Sequence, residues 1–405
     1  MHPVRLPRFD SSQYDAEFPK LELQKPHAQQ DVDGLSKDLE ALVLEKKDDS
    51  KKGEKKQSAT DEKSVKTDKR SAAKICDIMN VHQDDIHGLL RVGEQRFVSG
   101  SKDGALNLWD FTGKLIKQVY VPLHIDYTQW ITALGSYGDK HWLSGTRDGL
   151  VDLWDNDGNW KKTLFDASKL TGGQKCKARN MKRVLCLTTF PETSQFLMGS
   201  PTRFSTHSSE TGAMLRFCKT HHNDWVYSIY PFSTKKIVVV TGPSLDIYER
   251  SDSKSIHWQM RASLIREEEC TQRQRLFISA VTPLQANPNH LGLSIFDGRV
   301  KIYDIANQSP LWEAQEHRER VWTIENIGNS CFASCADDGL IKLWDPRVAK
   351  KSVCTLTDKG AEKSRVSVLL TTKEDTQFLS GSCPDDVKRS KQKAKFSFWD
   401  LRKQG

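Results

Sequence analysis

The sequence lacks several features that would assign it to a familiar functional class. No apolar run approaches the ~20 residues that a membrane helix needs, and no apolar segment follows Arg5 and Arg8, so neither membrane insertion nor a secretory signal is expected. Its nine cysteines have no regular spacing, which argues against a disulfide framework. These absences predict an intracellular, cytoplasmic protein, with the nucleus as the alternative location.

Catalytic and metal-binding signals are also missing. There is no Gly-x-Ser-x-Gly elbow, and the stretch TGGQK at residues 171–175 lacks the spacing of a phosphate-binding loop. Cys331 and Cys335 lie four residues apart on a predicted strand, where small buried thiols are the simpler interpretation. The sequence therefore predicts a protein that is not an enzyme and that uses no cofactor and no metal.

The first 70 residues differ in composition from the rest of the chain. They contain 15 Lys or Arg and 15 Asp or Glu, and 17 of the 26 residues at 45–70 are charged. Such a stretch cannot bury enough apolar surface to offset chain entropy, so residues 1–70 are predicted to form a disordered charged tail. Leu35, Leu39 and Leu42 have helical spacing and indicate a short helix at 31–46, either transient or a docking helix.

What the chain does contain is a repeated segment. The run FVSGSKDGALNLWD at residues 97–110 returns as WLSGTRDGLVDLWD at 142–155 and as FASCADDGLIKLWD at 332–345. In each copy Ser precedes Asp by four residues and Asp precedes Trp by six. Between the copies, apolar residues alternate with polar ones and are interrupted by Gly, Asp and Asn, a pattern that predicts short antiparallel strands.

The Trp position recurs at intervals of about 40 to 55 residues, which suits four-stranded propeller blades. The three copies resemble WD40 repeats, and the resemblance extends over residues 72–402. A split copy places SGS at 380–382 and Trp399 later; three degenerate blades are expected around 184–216, 226–260 and 278–313. The resemblance implies an all-β, seven-bladed WD40 β-propeller at 71–405, with residues 73–79 supplying the outer strand of the last blade. Closing the ring in this way removes open sheet edges.

The repeated polar residues have a structural interpretation. A buried indole N–H needs an acceptor, which a Ser hydroxyl supplies, and an Asp in the turn can accept from a His that precedes the blade. Because these groups repeat and support strands, they are not interpreted as a catalytic triad. The predicted structural networks are His82, Ser99, Asp103 and Trp109; Ser144, Asp148 and Trp154; and His317, Ser334, Asp338 and Trp344.

The resemblance also implies where a partner binds. In WD40 proteins the residues that flank each inner strand's start, and those before each turn Asp, face the usual docking surface, called the top face. Aromatic and Arg side chains dominate this set, as they dominate interface anchors. The predicted partner-binding residues are Lys102, Trp130, Arg147, Arg183, Trp225, Tyr227, Phe277, Arg320, Trp322 and Arg365.

Two basic insertions, one at residues 175–183 and one at 388–395, are expected to reach the same face. Together with the Arg and Trp residues they favour a protein partner with an acidic or phosphorylated segment, bound by a monomeric propeller within a larger complex. RNA or single-stranded nucleic acid is an alternative, because basic and aromatic residues together also suit it.

The first alternative, placed ahead of nucleic acid, comes from the sequences WDPR at 344–347 and WDLR at 399–402. They resemble the Trp-Asp-x-Arg motif by which WD40 substrate receptors dock the adaptor of cullin-4 ubiquitin ligases. On this interpretation Arg347 and Arg402 are the docking residues. An Arg in this position can instead pair with a neighbouring Asp at the rim of the propeller.

Overall fold

The computed structural model describes residues 73–120, 130–170, 183–190, 192–220, 224–242, 244–264, 277–285, 287–327, 331–348, 350–357, 364–372, 376–384 and 393–402. The predicted tail at 1–70 and its helix at 31–46 lie outside the described residues. The described part of the chain contains 28 strands, one short 3-10 helix at Ala167–Lys169, and no helix with the length and hydropathy needed to cross a bilayer.

The strands form seven four-stranded antiparallel sheets, the blades of a propeller. The first strand of the chain is β1 (Ala73–His82). Blade 1 contains β2 (Ile86–Val92), β3 (Arg96–Ser101), β4 (Ala105–Asp110) and β5 (Leu115–Tyr120). Blade 2 contains β6 (Ile131–Tyr137), β7 (His141–Thr146), β8 (Leu150–Asp155) and β9 (Trp160–Asp166). Blade 3 contains β10 (Cys186–Phe190), β11 (Gln195–Ser200), β12 (Arg203–Ser208) and β13 (Met214–Lys219).

The remaining blades follow the same order. Blade 4 contains β14 (Val226–Ser233), β15 (Lys236–Thr241), β16 (Leu245–Glu249) and β17 (Gln259–Ser263). Blade 5 contains β18 (Ile278–Leu284), β19 (Asn287–Ile295), β20 (Arg299–Asp304) and β21 (Ser309–Gln315). Blade 6 contains β22 (Val321–Asn326), β23 (Phe332–Ala336), β24 (Leu340–Trp344) and β25 (Cys354–Thr357). Blade 7 contains β26 (Ser364–Thr371), β27 (Gln377–Pro384) and β28 (Ala394–Asp400), completed by β1.

The closing strand joins the beginning of the propeller to its end. In β1, Ala73 pairs with Asp400, Ile78 with Phe396 and His82 with Ala394. This confirms the prediction that the residues before blade 1 complete the last blade, and that the ring has seven blades. Because β28 is covered, its backbone N–H and C=O groups have partners, and that edge is not available to another chain.

Burial explains why the middle strands are the most regular part of the sequence. In β3, β4, β7 and β8 nearly every residue is buried, because each blade packs against a neighbour on both of its faces. The outer strands β13 and β17 are mostly exposed or half-buried. The core is therefore a series of inter-blade layers, and one of them packs Trp142, Trp154 and Leu106 between blades 1 and 2.

Side chains near the start of the inner strands link successive blades. Thr132, Ser279 and Ser367 donate to the carbonyls of Val184, Val321 and Ile86 in the next blade, and His87 Nδ1 donates to Ile131 O at 3.1 Å. These bonds tie the starts of the inner strands to one another. These blades are thereby connected at the end where partner binding was predicted.

Candidate partner-binding face

The top face is the end of the ring at which each inner strand begins and each turn between the second and third strands lies. Backbone hydrogen bonds place its two predicted positions side by side within a blade. Lys102 N donates to Asp85 O at 2.9 Å, and Arg147 N donates to Trp130 O at 3.0 Å. Each residue before an inner strand therefore lies next to the residue before the turn Asp, although the two are far apart in sequence.

In blades 1 and 2 this arrangement gathers two cations around one indole. Lys102 Nζ lies 4.8 Å from the ring centroid of Trp130, and the guanidinium carbon of Arg147 lies 4.1 Å from it. Both distances are within the range of cation–π attraction. The His87 ring contacts the same indole edge-on, with centroids 6.4 Å apart. Asp84 lies 3.8 Å from Lys102 Nζ, and the Lys102 side chain is only 11% exposed.

In blades 3 to 6 the face is mainly aromatic. The centroid of Trp225 lies 6.3 Å from that of Tyr227, and Tyr227 contacts Phe296 edge-on at 6.4 Å. Phe296 in turn contacts Trp322 edge-on at 5.2 Å. Two arginines lie over this row, Arg183 at 5.4 Å from Trp225 and Arg320 at 5.6 Å from Phe296.

The structure corrects the prediction for Phe277. It was expected to contact a partner, but its side chain is 4% exposed and it stacks on Phe296, which is 2% exposed. A side chain this buried cannot serve as a surface anchor without rearrangement. Phe277 therefore supports the aromatic row from beneath, while the partly exposed Trp225, Tyr227 and Trp322 form its surface.

Carboxylates other than Asp84 also moderate the positive charge of the top face. Arg365 NH2 lies 2.8 and 3.0 Å from the carboxylate oxygens of Asp85, so this residue links blade 7 to blade 1. Trp322 Nε1 donates to Asp337 Oδ1 at 2.6 Å. Burial raises the pKa of Asp337, although that hydrogen bond acts in the opposite direction. The described part of the face is therefore a mixture of cations, aromatic rings and the carboxylates of Asp84, Asp85 and Asp337.

The repeated Ser, Asp and Trp residues lie in the interior. Trp109 Nε1 donates to Ser99 Oγ at 2.9 Å, and His82 contacts Ser99 Oγ through Nε2 at 2.7 Å and Asp103 through Nδ1 at 3.1 Å. Burial acts to raise the pKa of Asp103, but hydrogen bonds from His82 and from backbone N–H groups hold it below its ordinary value. His82 comes from the end of β1, so the closing strand of blade 7 also completes the polar network of blade 1.

Blade 6 repeats this network with His317, Ser334, Asp338 and Trp344. Blade 2 differs. Trp154 Nε1 donates to Ser144 Oγ at 2.8 Å, but Asp148 is exposed, and Thr146 Oγ1 accepts from the turn nitrogen of Leu150. The predicted role of Asp148 in a buried network is therefore corrected, because the turn hydroxyl replaces the carboxylate there.

Comparison with known proteins agrees with this geometry. The family model described as WD domain, G-beta repeat matches residues 308–345, which run from the last strand of blade 5 through β24. The solved structure described as the WD40 beta propeller domain of Doa1 superposes with a TM-score of 0.60, covering 81% of this chain and 97% of that chain at 13% identity. The chain is a WD40-repeat propeller.

Relatives among curated proteins match short segments of this WD40 propeller. Protein SPA1-RELATED 3 of Arabidopsis thaliana is 40% identical over 58 residues, which is 14% of this chain and 7% of that protein. The WD repeat-containing proteins RUP1 and RUP2 of the same plant are 38% identical over 61 residues and 33% over 82 residues. The chain thus spans no more than 22% of these relatives' lengths. A WD40 propeller is generally a non-catalytic protein-interaction scaffold.

The two Trp-Asp-x-Arg sequences have matching geometry at the opposite end of the WD40 propeller, called the bottom face. Arg347 contacts both carboxylate oxygens of Asp345 at 2.8 and 2.7 Å. Arg402 does the same with Asp400 at 3.1 and 3.0 Å. Asp345 raises the pKa of Arg347, and Arg402 lowers that of Asp400. The Arg side chains remain 56% and 54% exposed, so they support local turns and also reach the surface.

Most of the two basic insertions falls outside the described residues, including Lys175, Arg179, Lys388 and Arg389. Lys395 is described and was expected in a basic loop. It is instead a buried residue of β28, 3.9 Å from Asp77. Within the described ranges no group of three or more His, Cys, Asp or Glu side chains is arranged to hold a metal ion.

Sequence reasoning missed the polar partner that blade 3 uses. The register pairs Phe196 with His207 as it pairs Phe97 with Trp109, so His207 occupies in blade 3 the position that Trp109 has in blade 1. Its Nε2 lies 2.8 Å from Ser205 Oγ, and its Nδ1 donates to Gly212 O at 3.2 Å. Histidine can satisfy the same buried site as tryptophan, and a search for aromatic polar residues in general would have found it.

Proposed function

We propose that this propeller binds an acidic or phosphorylated segment of a partner protein on its top face. The observation that carries the proposal is the position of Lys102 and Arg147 around the indole of Trp130. Arg183 and Arg320 lie over aromatic rings on the same face. Four blades thereby contribute a cation that lies against an aromatic ring of this face.

The chemistry of these side chains supports an anionic partner. An Arg that lies over an aromatic ring keeps its charge and presents N–H donors at the edge of its plane. Charge-assisted hydrogen bonds from such donors to carboxylate or phosphate oxygens are among the stronger contacts at interfaces. Trp, Tyr and Arg are also the residues most enriched among energetically dominant interface positions.

The test is a charge-reversed variant carrying Arg147→Glu, Arg183→Glu and Arg320→Glu. Arg365 is left unchanged because its reversal would place two carboxylates together at Asp85. Affinity purification with mass spectrometry on the wild-type chain is expected to recover partners whose binding segments map to acidic or phosphorylated residues. The variant is expected to lose them, because like charge now opposes the segment.

The matched control reverses three exposed lysines of the bottom face. Lys235 follows β14, Lys254 precedes β17 and Lys351 precedes β25. The variant with Glu at all three carries the same change in net charge and is expected to keep the partners. Thermal unfolding of both variants monitors folding. Undiminished capture of the same partners by a folded top-face variant would show that another surface binds them.

A second candidate function is docking of a ubiquitin-ligase adaptor through Arg347 and Arg402. The observation that favours it is that the same exposed Arg–Asp fork is present on two neighbouring blades, 6 and 7. Arg347→Ala with Arg402→Ala is expected to abolish co-purification of the adaptor and to leave top-face partners unaffected. If the adaptor is retained by the folded double variant, the forks have only a local structural role.

A further inference from the structure

We propose that Lys102, Trp130 and Arg147 form an anion subsite that selects a phosphorylated side chain over a carboxylate. The inference rests on the proposed function of the top face. It places the binding site for the partner's phosphate at the boundary between blades 1 and 2. The proposed ligand is a phosphorylated protein segment, and the test below includes nucleic acid as an alternative ligand.

The subsite is built from three rigid parts of the fold. Lys102 lies in the turn after β3, Trp130 immediately precedes β6, and Arg147 lies in the turn after β7. Backbone hydrogen bonds fix the first turn to Asp85 and the second to Trp130 itself. The two turns therefore hold the cations in position by short backbone contacts, so little conformational entropy is lost on binding.

The positive charge before the turn Asp distinguishes blades 1 and 2 from blades 5 and 6. The residue before the turn Asp is basic in both blade 1 and blade 2, whereas the equivalent residue is Phe296 in blade 5 and Asp337 in blade 6. Since Asp337 N donates to Arg320 O at 3.0 Å and Phe296 N to Phe277 O at 2.9 Å, the backbone arrangement is the same in these blades. Only the side chains differ, and among the described residues it is at Trp130 that two cations lie against one ring.

The oxygen count of the ligand decides between phosphate and carboxylate. Arg147 lies over the indole at 4.1 Å, and a guanidinium in that position offers its N–H groups sideways as a fork. A carboxylate has two coplanar oxygens, and such a fork engages both, so any further donor must share an oxygen with it. A phosphomonoester has three acceptor oxygens and a charge of about −1.5 to −2. It can accept from the Arg147 fork and from Lys102 at the same time.

Asp84 strengthens this preference. Its carboxylate lies 3.8 Å from Lys102 Nζ, which is longer than the roughly 2.7–2.9 Å of a direct charge-assisted hydrogen bond. An incoming anion must compete with Asp84 for a mostly buried ammonium. A dianion competes better than a monoanion, so the phosphorylated ligand gains more from Lys102 than a Glu or Asp side chain does.

The experiment compares three peptide libraries with identical degenerate flanks and a central phosphoserine, glutamate or serine, passed over the immobilised full chain. We expect retention of the phosphoserine library to exceed that of the glutamate library by about tenfold or more. Lowering the pH from 7.5 to 5.5 should reduce this excess, because the second pKa of a phosphomonoester is about 6. The variants Arg147→Gln and Lys102→Gln should each remove the preference, and Lys235→Gln should keep it.

The outcomes separate this inference from the proposed function beneath it. Equal retention of the phosphoserine and glutamate libraries overturns the phosphate subsite and leaves binding of acidic segments intact. Retention of neither library overturns both. Equal competition by a single-stranded oligonucleotide, whose phosphodiesters are monoanions, overturns both in favour of nucleic acid. Arg147→Gln decides the matter if the mostly buried Lys102→Gln variant does not fold, since a folded Arg147→Gln variant with full phosphate preference also overturns the subsite.

Discussion

At the scale of single residues, the buried aromatic position near the end of a blade's third strand is defined by the hydrogen bond that its side chain makes. Trp109, Trp154 and Trp399 all donate to a serine hydroxyl of the preceding strand. In blade 5, Tyr303 donates instead to the carbonyl of Leu264 at 2.7 Å. The requirement is that a buried polar group be satisfied, and several aromatic residues meet it. A motif written in letters therefore detects only some of the blades.

The buried His207 makes the free energy of unfolding depend on pH. Burial lowers the pKa of His207 from 6.5 to about 4, although the hydrogen bond from its Nδ1–H to Gly212 O acts in the opposite direction. In the neutral form its Nε2 accepts from Ser205 Oγ. The unfolded chain takes up this proton near pH 6.5, and the folded chain only near pH 4. The contribution of His207 to stability is therefore complete above pH 6.5 and is lost as the pH falls from 6.5 to 4.

We expect the wild type to lose about 2 kcal/mol more unfolding free energy than the variant His207→Gln between pH 7.5 and pH 5. Glutamine is neutral throughout this range and can still donate and accept in the same site. Urea denaturation of both proteins at the two pH values measures the difference. Parallel losses in wild type and variant would mean that His207 is protonated in the folded state at pH 5.

At the scale of elements, the sequence predicts strands best where they are buried on both faces. The second and third strands of blades 1, 2 and 6 carry the repeat because both faces pack against neighbouring blades. The three degenerate blades were predicted at 184–216, 226–260 and 278–313, and their strands span 186–219, 226–263 and 278–315. The start positions agree closely because the inner strands are apolar, whereas the outer strands have few buried residues to mark their ends.

The turn between β12 and β13 shows how elements of different blades meet. Gly212 has a φ of +75°, and a Cβ there would lie 1.7 Å from the backbone oxygen of Leu164 in β9. A backbone atom cannot move aside as a flexible side chain can. Gly138 makes a suitable control because it also has a positive φ, of +62°, and a Cβ there would meet nothing within 4 Å.

Gly138→Ala is expected to cost about 1 to 2 kcal/mol, the penalty for a left-handed backbone alone. Gly212→Ala is expected to cost about 1 to 3 kcal/mol more, because the methyl group forces blade 3 away from blade 2. Chemical denaturation of the two variants beside wild type gives the comparison. Equal costs would indicate that the turn can shift without disturbing the contact with β9.

At the scale of the whole molecule, ring closure and the candidate site differ in how far the sequence reveals them. Closure was predictable because a strand-like segment precedes blade 1 and can pair with the last blade. The contacts at Trp130 were not predictable, since Lys102 and Arg147 lie 28 and 17 residues away from it in sequence. Sequence reasoning placed these residues on one face, but only the assembled blades show which cations share a ring.

The closing strand connects these scales, because β1 both completes blade 7 and carries His82 into the network of Ser99, Asp103 and Trp109 in blade 1. A chain that starts at residue 83 leaves the edge of β28 unpaired, and it leaves Ser99 and Asp103 without their histidine partner. We expect this truncation to lower the unfolding temperature by about 10 °C or more and to promote self-association through the open edge.

A chain that starts at residue 73 is the control. Because residues 1–70 are predicted to be a disordered tail, this chain is expected to unfold at the same temperature as the full chain. A synthetic peptide of residues 73–82 is expected to restore the unfolding temperature of the chain that starts at residue 83. Addition of this strand rebuilds the pairing with β28 from Ala73–Asp400 to His82–Ala394. Light scattering and thermal unfolding with and without the peptide measure both effects. If the chain from residue 83 remains monomeric and as stable as the control, the ring closes by other contacts, of which the Arg365–Asp85 pair between blades 7 and 1 is the first to examine.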